Sequence, residues 1–433
     1  MSVQPPESPR LSRRTLFVAG SVGMGAMIAR PVLAQSTGAE RPPEIDIGRV
    51  ENGEVRFPEW KGPNDAPSRP LPKPQPDEQR VGFAIVGLGR LSLEELLPAF
   101  GETMRAKVVA LVSGTPEKAQ AVAQQYGVSP DAIYGYDDWD RIKQDGRIQA
   151  VYVVTPNGLH RRDVLNAAGA GKHVLCEKPM ARNSREARDM IAACERAGVK
   201  LMIAYRCQYE PYNCRARELY RSGEHGAGRL IEASNSQDHG DPAQWRSDKA
   251  LAGGGSLPDI GLYCLNTIRA LTGEEPVEVF ARIVTDTSDP RFREVEDNVA
   301  WTMRFPSGVM ANCSSSYSAH NYKTLRYQSQ KAWNRVDDAF AYTGQSMTIS
   351  MREGDGAVEK TPNIPHKNQF ALEIDHFAQC IQENLKPHTP GEEGLQDHRI
   401  MEAIYRSAET GRPVTLDRVE GLDVFRGPEP KEG

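Results

Sequence analysis

VGFAIVGLGRLSLEELL, residues 81–97, carries three signals in one short run. Residues 81–86 are uniformly apolar and read as a buried strand. Gly87-Leu88-Gly89 then breaks the run, and Leu93, Leu96 and Leu97 resume it at helical spacing. Strand, glycine turn and helix in that order form the first βα turn of a dinucleotide-binding fold. Gly87 permits the tight turn, and Gly89 has no side chain to keep a pyrophosphate from the backbone. The helix start offers free N–H groups and the positive end of its dipole. Ser92 stands where the third glycine of the pattern is usual, and it is still small. Gly-x-Gly alone also marks plain turns; the flanks give this one its meaning.

Residues 107–112 (KVVALV) read as the second strand. NAD-binding proteins usually place an acid at its end to accept from the ribose 2′-hydroxyl. Here it ends in Ser113-Gly114-Thr115-Pro116-Glu117-Lys118. A hydroxyl, a helix start and a lysine suit a 2′-phosphate, so NADP is expected rather than NAD. The alternative is that Lys118 is a solvated helix residue. Residues 150–154 form a further strand, followed by Thr155-Pro156-Asn157-Gly158-Leu159-His160 as a loop and a helix over 160–170. Residues 172–176 make the next strand, ending in Glu177-Lys178-Pro179. A helix over 184–197 leads to a strand at 200–205. This alternation predicts a parallel, doubly wound sheet. Ligands bind at the carboxyl ends of such strands, which gathers Ser113, Asn157, His160, Glu177, Lys178, Tyr205 and Arg206 near one crevice. Lys178 offers a cation that orients a sugar hydroxyl and lowers a neighbour's pKa; the alternative is a surface ion pair with Glu177.

Beyond residue 206, residues 209–221 look helical and 229–236 read as a strand. Asp241-Pro242-Ala243-Gln244-Trp245-Arg246 follows, then Gly253-Gly254-Gly255 and a helix pattern over 260–271. The glycine run leaves room for backbone to approach a ligand. Asp259 and Tyr263 are four apart and share a helical face. A carboxylate and a phenol so placed suit a proton-transfer group with an orienting partner; the alternative is a capping aspartate and a half-buried tyrosine. Residues 277–285, 298–305, 309–317 and 347–351 are strand-like and predict a largely antiparallel sheet, which covers the crevice or pairs with another subunit. Helices are expected over 370–385 and 396–410.

The chain of 433 residues suits two domains with extensions. A net charge of −5 provides no basic field for nucleic acid. No apolar run reaches the length of a permanent membrane span. Seven cysteines without CxxC spacing point away from a zinc site or a disulfide scaffold, and no metal is expected. Near the start, Ser12-Arg13-Arg14-Thr15-Leu16-Phe17 precedes a mildly hydrophobic run and resembles a twin-arginine export signal, with cleavage expected after Ala34 and a periplasmic destination. An ordinary signal or a basic tail is the alternative. Residues 35–79 are proline-rich, which excludes helix and favours extended chain. Ile45, Ile47, Val50, Val55, Phe57 and Trp60 exceed what a passive linker needs and fit an arm that docks on a surface. The expected divisions are a signal at 1–34, the arm at 35–79, an NADP-binding domain at 80–205, and a substrate and oligomerisation domain at 206–433.

Gly87-Leu88-Gly89, Glu177-Lys178-Pro179, Ala204-Tyr205-Arg206 and the stretch from Gly253 to Tyr263 resemble the glucose–fructose and aldose–aldose oxidoreductase group of the Gfo/Idh/MocA superfamily. The resemblance spans about 80–414, with the export signal and arm in addition. Most of the superfamily carries histidine where Tyr263 stands; tyrosine belongs to this group. The resemblance implies an α/β Rossmann-like parallel sheet followed by an α+β domain on a large, mostly antiparallel, open-faced sheet. It implies tightly bound NADP(H), an aldose such as glucose oxidised to its aldonolactone, and fructose or another aldose reduced to the alditol by ping-pong transfer. Lys178 and Tyr263 match the catalytic lysine and tyrosine, and Asp259 the acid that helps place the sugar. Ser113 and Lys118 match 2′-phosphate contacts, and Tyr136 the residue near the adenine. Gly87, Leu88, Gly89, Arg90, Gly114, Thr155, Asn157, His160, Glu177, Lys178, Arg206, Trp245 and Arg246 complete the expected cofactor site. An arm shielding the cofactor and a homodimer or homotetramer, built through the second sheet, also follow from it.

Elementary rates support a closed cycle. A nanomolar site with an on-rate of about 10⁶ M⁻¹s⁻¹ empties in roughly a quarter of an hour. Retention in a compartment poor in NADP therefore needs tighter binding or a lid. In the expected chemistry Tyr263, its pKa lowered from 10 by Lys178 and a positive nicotinamide, takes the C1 hydroxyl proton and later returns it. Three alternatives share these motifs: a dehydrogenase with exchangeable NAD(P), a cofactor-dependent glycosidase, and a sugar-binding protein without catalysis.

Overall fold

The computed structural model describes residues 48–65 and 71–430. The expected export signal and its cleavage site lie outside the described residues, as do Ile45 and Ile47. The first unit, up to Leu71, is described by itself. In it Arg49–Glu51 pairs antiparallel with Glu54–Arg56. Asn52 and Gly53 turn the chain with φ of 53° and 79°, the left-handed pair a two-residue hairpin requires. The prolines therefore leave room for a small hairpin as well as extended chain. Val50, Phe57 and Trp60 are exposed on it.

The second unit, from Pro72, carries two sheets. The first has six parallel strands in the order Ile133–Tyr134, Ala106–Val112, Val81–Val86, Ala150–Val153, His173–Glu177, Leu201–Ala204. Val81–Val86 is buried at every position, as a strand covered on both faces must be. It lies between the strands that follow it first and third in sequence, so connections leave it in opposite directions. That is the switch point where a crevice opens at the carboxyl ends. The helix after the glycine turn begins with a π-helical turn, Ser92–Leu96, and the Ser92 hydroxyl donates to Gly87 O at 2.6 Å. The third-glycine position thus serves as a tie between helix and turn.

The second sheet has nine strands, in the order Gly356–Lys360, Ser346–Glu353, Ala332–Asp337, Tyr322–Ser329, Gly228–Ser236, Met310–Ser316, Asn298–Arg304, Glu278–Val284, Val414–Thr415. Every pair is antiparallel except Gly228–Ser236 with Met310–Ser316. The fold class is therefore as expected. Tyr322–Ser329, Ala332–Asp337, Gly356–Lys360 and Val414–Thr415 are additional to the strands expected from sequence. Ile231, Ala233, Leu325, Tyr327 and Val336 form the buried face, while Glu232, Arg326 and Arg335 stand on the other.

The last helices return to the first sheet. On Gln369–Gln382, Asp375 accepts from the N–H groups of Met104 (2.7 Å) and Arg105 (2.8 Å), and Phe377 meets Phe83 edge-on at 6.3 Å. Thr389 pairs with the edge strand: Ile203 N–H donates to its carbonyl at 2.8 Å, and its hydroxyl donates to Ile203 O at 2.7 Å. Gly391–Thr410 starts five residues before the expected helix and contributes Glu393 and Asp397 to a buried ion cluster with Arg269 and Glu275. No helix among the described residues is long and apolar enough to cross a membrane.

Candidate active site

A cleft of about 650 Å³ opens at the carboxyl ends of the parallel strands, and residues of the second sheet close its far side. Gly87 has φ of 103°, and a Cβ there would stand 3.1 Å from the Val154 backbone, so only glycine fits. A Cβ on Gly89 would meet nothing within 4 Å, which leaves that backbone open to the cleft. Leu88 and Arg90 line the same edge, with Arg90 paired to Glu94 at 3.5 Å. This cradle fits the pyrophosphate of a dinucleotide.

At the outer end, Lys118 and Tyr136 line the cleft, and the Arg162 guanidinium lies 5.5 Å from the Tyr136 ring centre. Ser113 and Gly114 are not among the lining residues. Ser113 is buried and its hydroxyl accepts from Thr115 N–H at 3.2 Å, while Gly114 backs on the Tyr136 ring. Thr155, Asn157 and His160 do line the cleft, with their polar atoms tied into the chain. Thr155 donates to Asp163 at 2.7 Å and Asn157 to Ala252 O at 2.8 Å. His160 sits between the carbonyls of Thr155 (2.7 Å) and Pro179 (3.0 Å), and burial pushes its imidazole below the ordinary value. Asn157 begins a helix, Asn157–Gly169, rather than belonging to a loop. These three residues brace the two strand ends and offer the ligand a wall.

Lys178 follows the strand His173–Glu177 and precedes a cis peptide to Pro179. Its Nζ donates to Asp259 Oδ1 at 3.0 Å and to Asp259 O at 2.8 Å. The other carboxylate oxygen of Asp259 accepts from Arg246 Nε at 3.0 Å and from the Tyr317 hydroxyl at 2.6 Å. Burial alone would raise the Asp259 pKa, but the Lys178 and Arg246 charges and these hydrogen bonds outweigh it and hold the carboxyl far below the usual range. Tyr263 completes the group. Lys178 Nζ and the Arg206 guanidinium each lie 4.6 Å from its ring centre. Arg206 is buried and fixed by Phe340 O, Ala341 O and Gln369. Trp245 stacks on Arg246 at 4.4 Å. Glu177 shares the Tyr152 hydroxyl (2.9 Å) with Glu373 (3.2 Å), two buried carboxyls that burial pushes up.

Two expectations need correction. Tyr263 was expected below its ordinary pKa because of Lys178 and a positive nicotinamide. Lys178 does lie over its ring, but within the protein itself burial pushes the phenol up, with Arg206 as the cation that opposes the rise. The glycine run was expected to admit a ligand. It admits Glu296: a Cβ on Gly255 would fall 1.8 Å from Glu296 O. The Glu296 carboxylate accepts from Gly255 N–H (2.8 Å) and Leu257 N–H (3.1 Å), capping the turn that carries Asp259. Sequence reasoning missed Tyr317, which sits just past the end of Met310–Ser316, and the wall of Asn235, Gln237 and Lys323. The alternation Ile231, Ala233, Asn235, Gln237, apolar turning polar on one strand face, is the signal for part of that wall.

A glycine-turn Rossmann sheet, a strand-end lysine and a second sheet closing the cleft define an NAD(P)-binding oxidoreductase. Residues 81–205 match the oxidoreductase family with an NAD-binding Rossmann fold, and residues 214–332 match the GFO/IDH/MocA C-terminal domain. The chain belongs to the GFO/IDH/MocA family. It is 32% identical to the D-xylose 1-dehydrogenase [NADP(+)] of Haloarcula marismortui over 78% of this chain and 93% of that one. It is 26% identical to the 1,5-anhydro-D-fructose reductase of Ensifer adhaerens, covering 77% and 98%. Among solved structures, the aldose-aldose oxidoreductase from Caulobacter crescentus, complexed with glycerol, matches with 46% identity and a TM-score of 0.75, over 78% of this chain and all of that one.

Proposed function

We propose that this protein is a periplasmic sugar oxidoreductase of the aldose–aldose or glucose–fructose type, in which tightly held NADP(H) is recycled between two sugars. The observation that carries the reading is the convergence of Lys178, Asp259 and Tyr263 on one side of a dinucleotide cleft. Similarity to sugar oxidoreductases, above all at 46% identity to an aldose-aldose oxidoreductase, supports the substrate class. NADP, when bound, supplies the hydride acceptor and, once reduced, the donor. Lys118 and Tyr136, at the outer end of the cleft, would hold its adenosine end, and Gly87 to Arg90 its pyrophosphate. Lys178, pinned through Asp259, orients a sugar hydroxyl. Tyr263 takes the C1 hydroxyl proton as the aldose becomes its lactone, and gives a proton to the carbonyl of the second sugar as the alditol forms. Copies of the chain pair through the second sheet. The Arg13-Arg14 segment directs export, which cell fractionation checks.

A dehydrogenase with exchangeable NADP is the second reading, favoured by the D-xylose 1-dehydrogenase likeness. Extensively dialysed protein separates the two. Denaturation should release about one equivalent of NADP(H) per chain, and sugar pairs should turn over without added cofactor. An empty supernatant, with activity restored by added NADP, would leave the exchangeable reading standing and the closed cycle without support.

A further inference from the structure

Among the described residues, several buried side-chain polar atoms lack a hydrogen-bond partner, and Asn235 Oδ1 alone belongs to a residue lining the active-site cleft. Asn235 is 1% exposed and its orientation is fixed, because Nδ2 donates to Ile260 O at 3.0 Å. That bond anchors the side chain next to Asp259 and directs the amide so that its oxygen is the free atom. Asn235 lies at the end of a strand face that runs Ile231, Ala233, Asn235, Gln237, and its register partner on the neighbouring strand is Lys323. Gln237 and Lys323 also line the cleft. The face is apolar under the helices and turns polar only where it reaches the site. A buried acceptor without a donor is costly to keep, so a donor from the ligand completes it.

We propose that Asn235 is a sugar-recognition residue: its Oδ1 accepts a hydrogen bond from one hydroxyl of the aldose other than the reacting C1 hydroxyl, and so sets which sugars the cleft takes. This rests on the sugar-oxidoreductase reading. An amide oxygen can only accept, so it selects a hydroxyl and rejects a hydrogen or an ether at that carbon. Gln237 and Lys323 line the same cleft, a polar wall that suits a polyol.

The test is a deoxy-sugar scan on cofactor-loaded enzyme, comparing the best aldose with its 2-, 3-, 4- and 6-deoxy forms. In the wild-type protein one position should lower kcat/KM on the order of 10- to 100-fold. In Asn235→Ala the penalty at that same carbon should shrink to within about threefold while the other positions keep theirs. Asn235→Ser, a second truncation that keeps a small polar side chain, should behave alike and guards against misfolding of the alanine variant. A purely structural asparagine would lower turnover of every sugar together and leave the pattern unchanged; that outcome overturns the inference and spares the oxidoreductase reading. Wild-type protein that oxidises no aldose at all overturns both.

Discussion

Tyr263 has cations over its ring, yet burial outweighs them and keeps the phenol above its ordinary pKa of 10. At neutral pH it carries its proton, ready for a sugar carbonyl, and only a small ionised fraction can accept one. That fraction grows tenfold per pH unit below the pKa. The rate of the sugar-oxidising half-reaction, followed by nicotinamide absorbance, should therefore rise about tenfold per unit from pH 6 to 9. A plateau below pH 8 would mean that another group takes the proton. Tyr263→Phe should retain cofactor and lose roughly 100- to 10,000-fold in turnover. Lys178, Asp259 and Tyr263 were legible because a strand-end lysine and an i, i+4 pair are local patterns. Tyr317 was not, since its bond to Asp259 joins positions 58 residues apart. Arg206, the second cation over Tyr263, escaped for the same reason: it is held there by Phe340, Ala341 and Gln369, none near it in sequence.

Two glycines show how differently short elements use the same residue. Gly255 is packed against Glu296 backbone, and Gly89 faces open space. Gly255→Ala should cost about 1–3 kcal/mol or more, read as a lower denaturation midpoint, and should disturb Asp259 through the capped turn. Gly89→Ala should leave that midpoint within about 0.5 kcal/mol and weaken NADP binding instead. Equal loss of stability in both variants would contradict the division. The parallel strands were readable as apolar runs because both their faces are covered. Strands of the second sheet such as YKTLRYQS and AWNRVD escaped, since polar residues stand on both faces: Arg326 and Arg335 point outward, while Lys323 and the buried Asn334 share the inner face with Leu325 and Val336. An alternation broken in that way is easily taken for loop.

At the scale of the whole molecule, His376, His388 and His398 are buried outside the cleft's chemistry and kept neutral by that burial. Burial pushes His376 and His398 down to about 4 and, with Arg217 adding to it, His388 to about 3. The unfolded chain binds protons on these residues near pH 6.5 while the folded one does not. Their effect is absent above that value and destabilises the fold progressively as pH falls toward 4, on the order of 3 kcal/mol apiece at most. The melting temperature should accordingly drop between pH 7 and 4.5. Replacing His376, whose Nε2 accepts from His388 N–H at 2.9 Å, by glutamine should make that drop shallower. A flat profile in the wild-type protein would show that the unfolded chain does not gain these protons.

The return of Asp375 and Thr389 to the first sheet sets an order of events at the ribosome. All six parallel strands have emerged by residue 204, yet the groups that hold Met104, Arg105 and Ile203 arrive only with the last helices. A nascent chain halted before residue 369 owns every strand of the nucleotide crevice and lacks Phe370 from its lining and Gln369, which fixes Arg206. Completion of the crevice is thus tied to the last part of synthesis rather than to the release of the segment that resembles a self-sufficient domain, and a chain terminated before residue 369 should bind nucleotide more weakly than the full one.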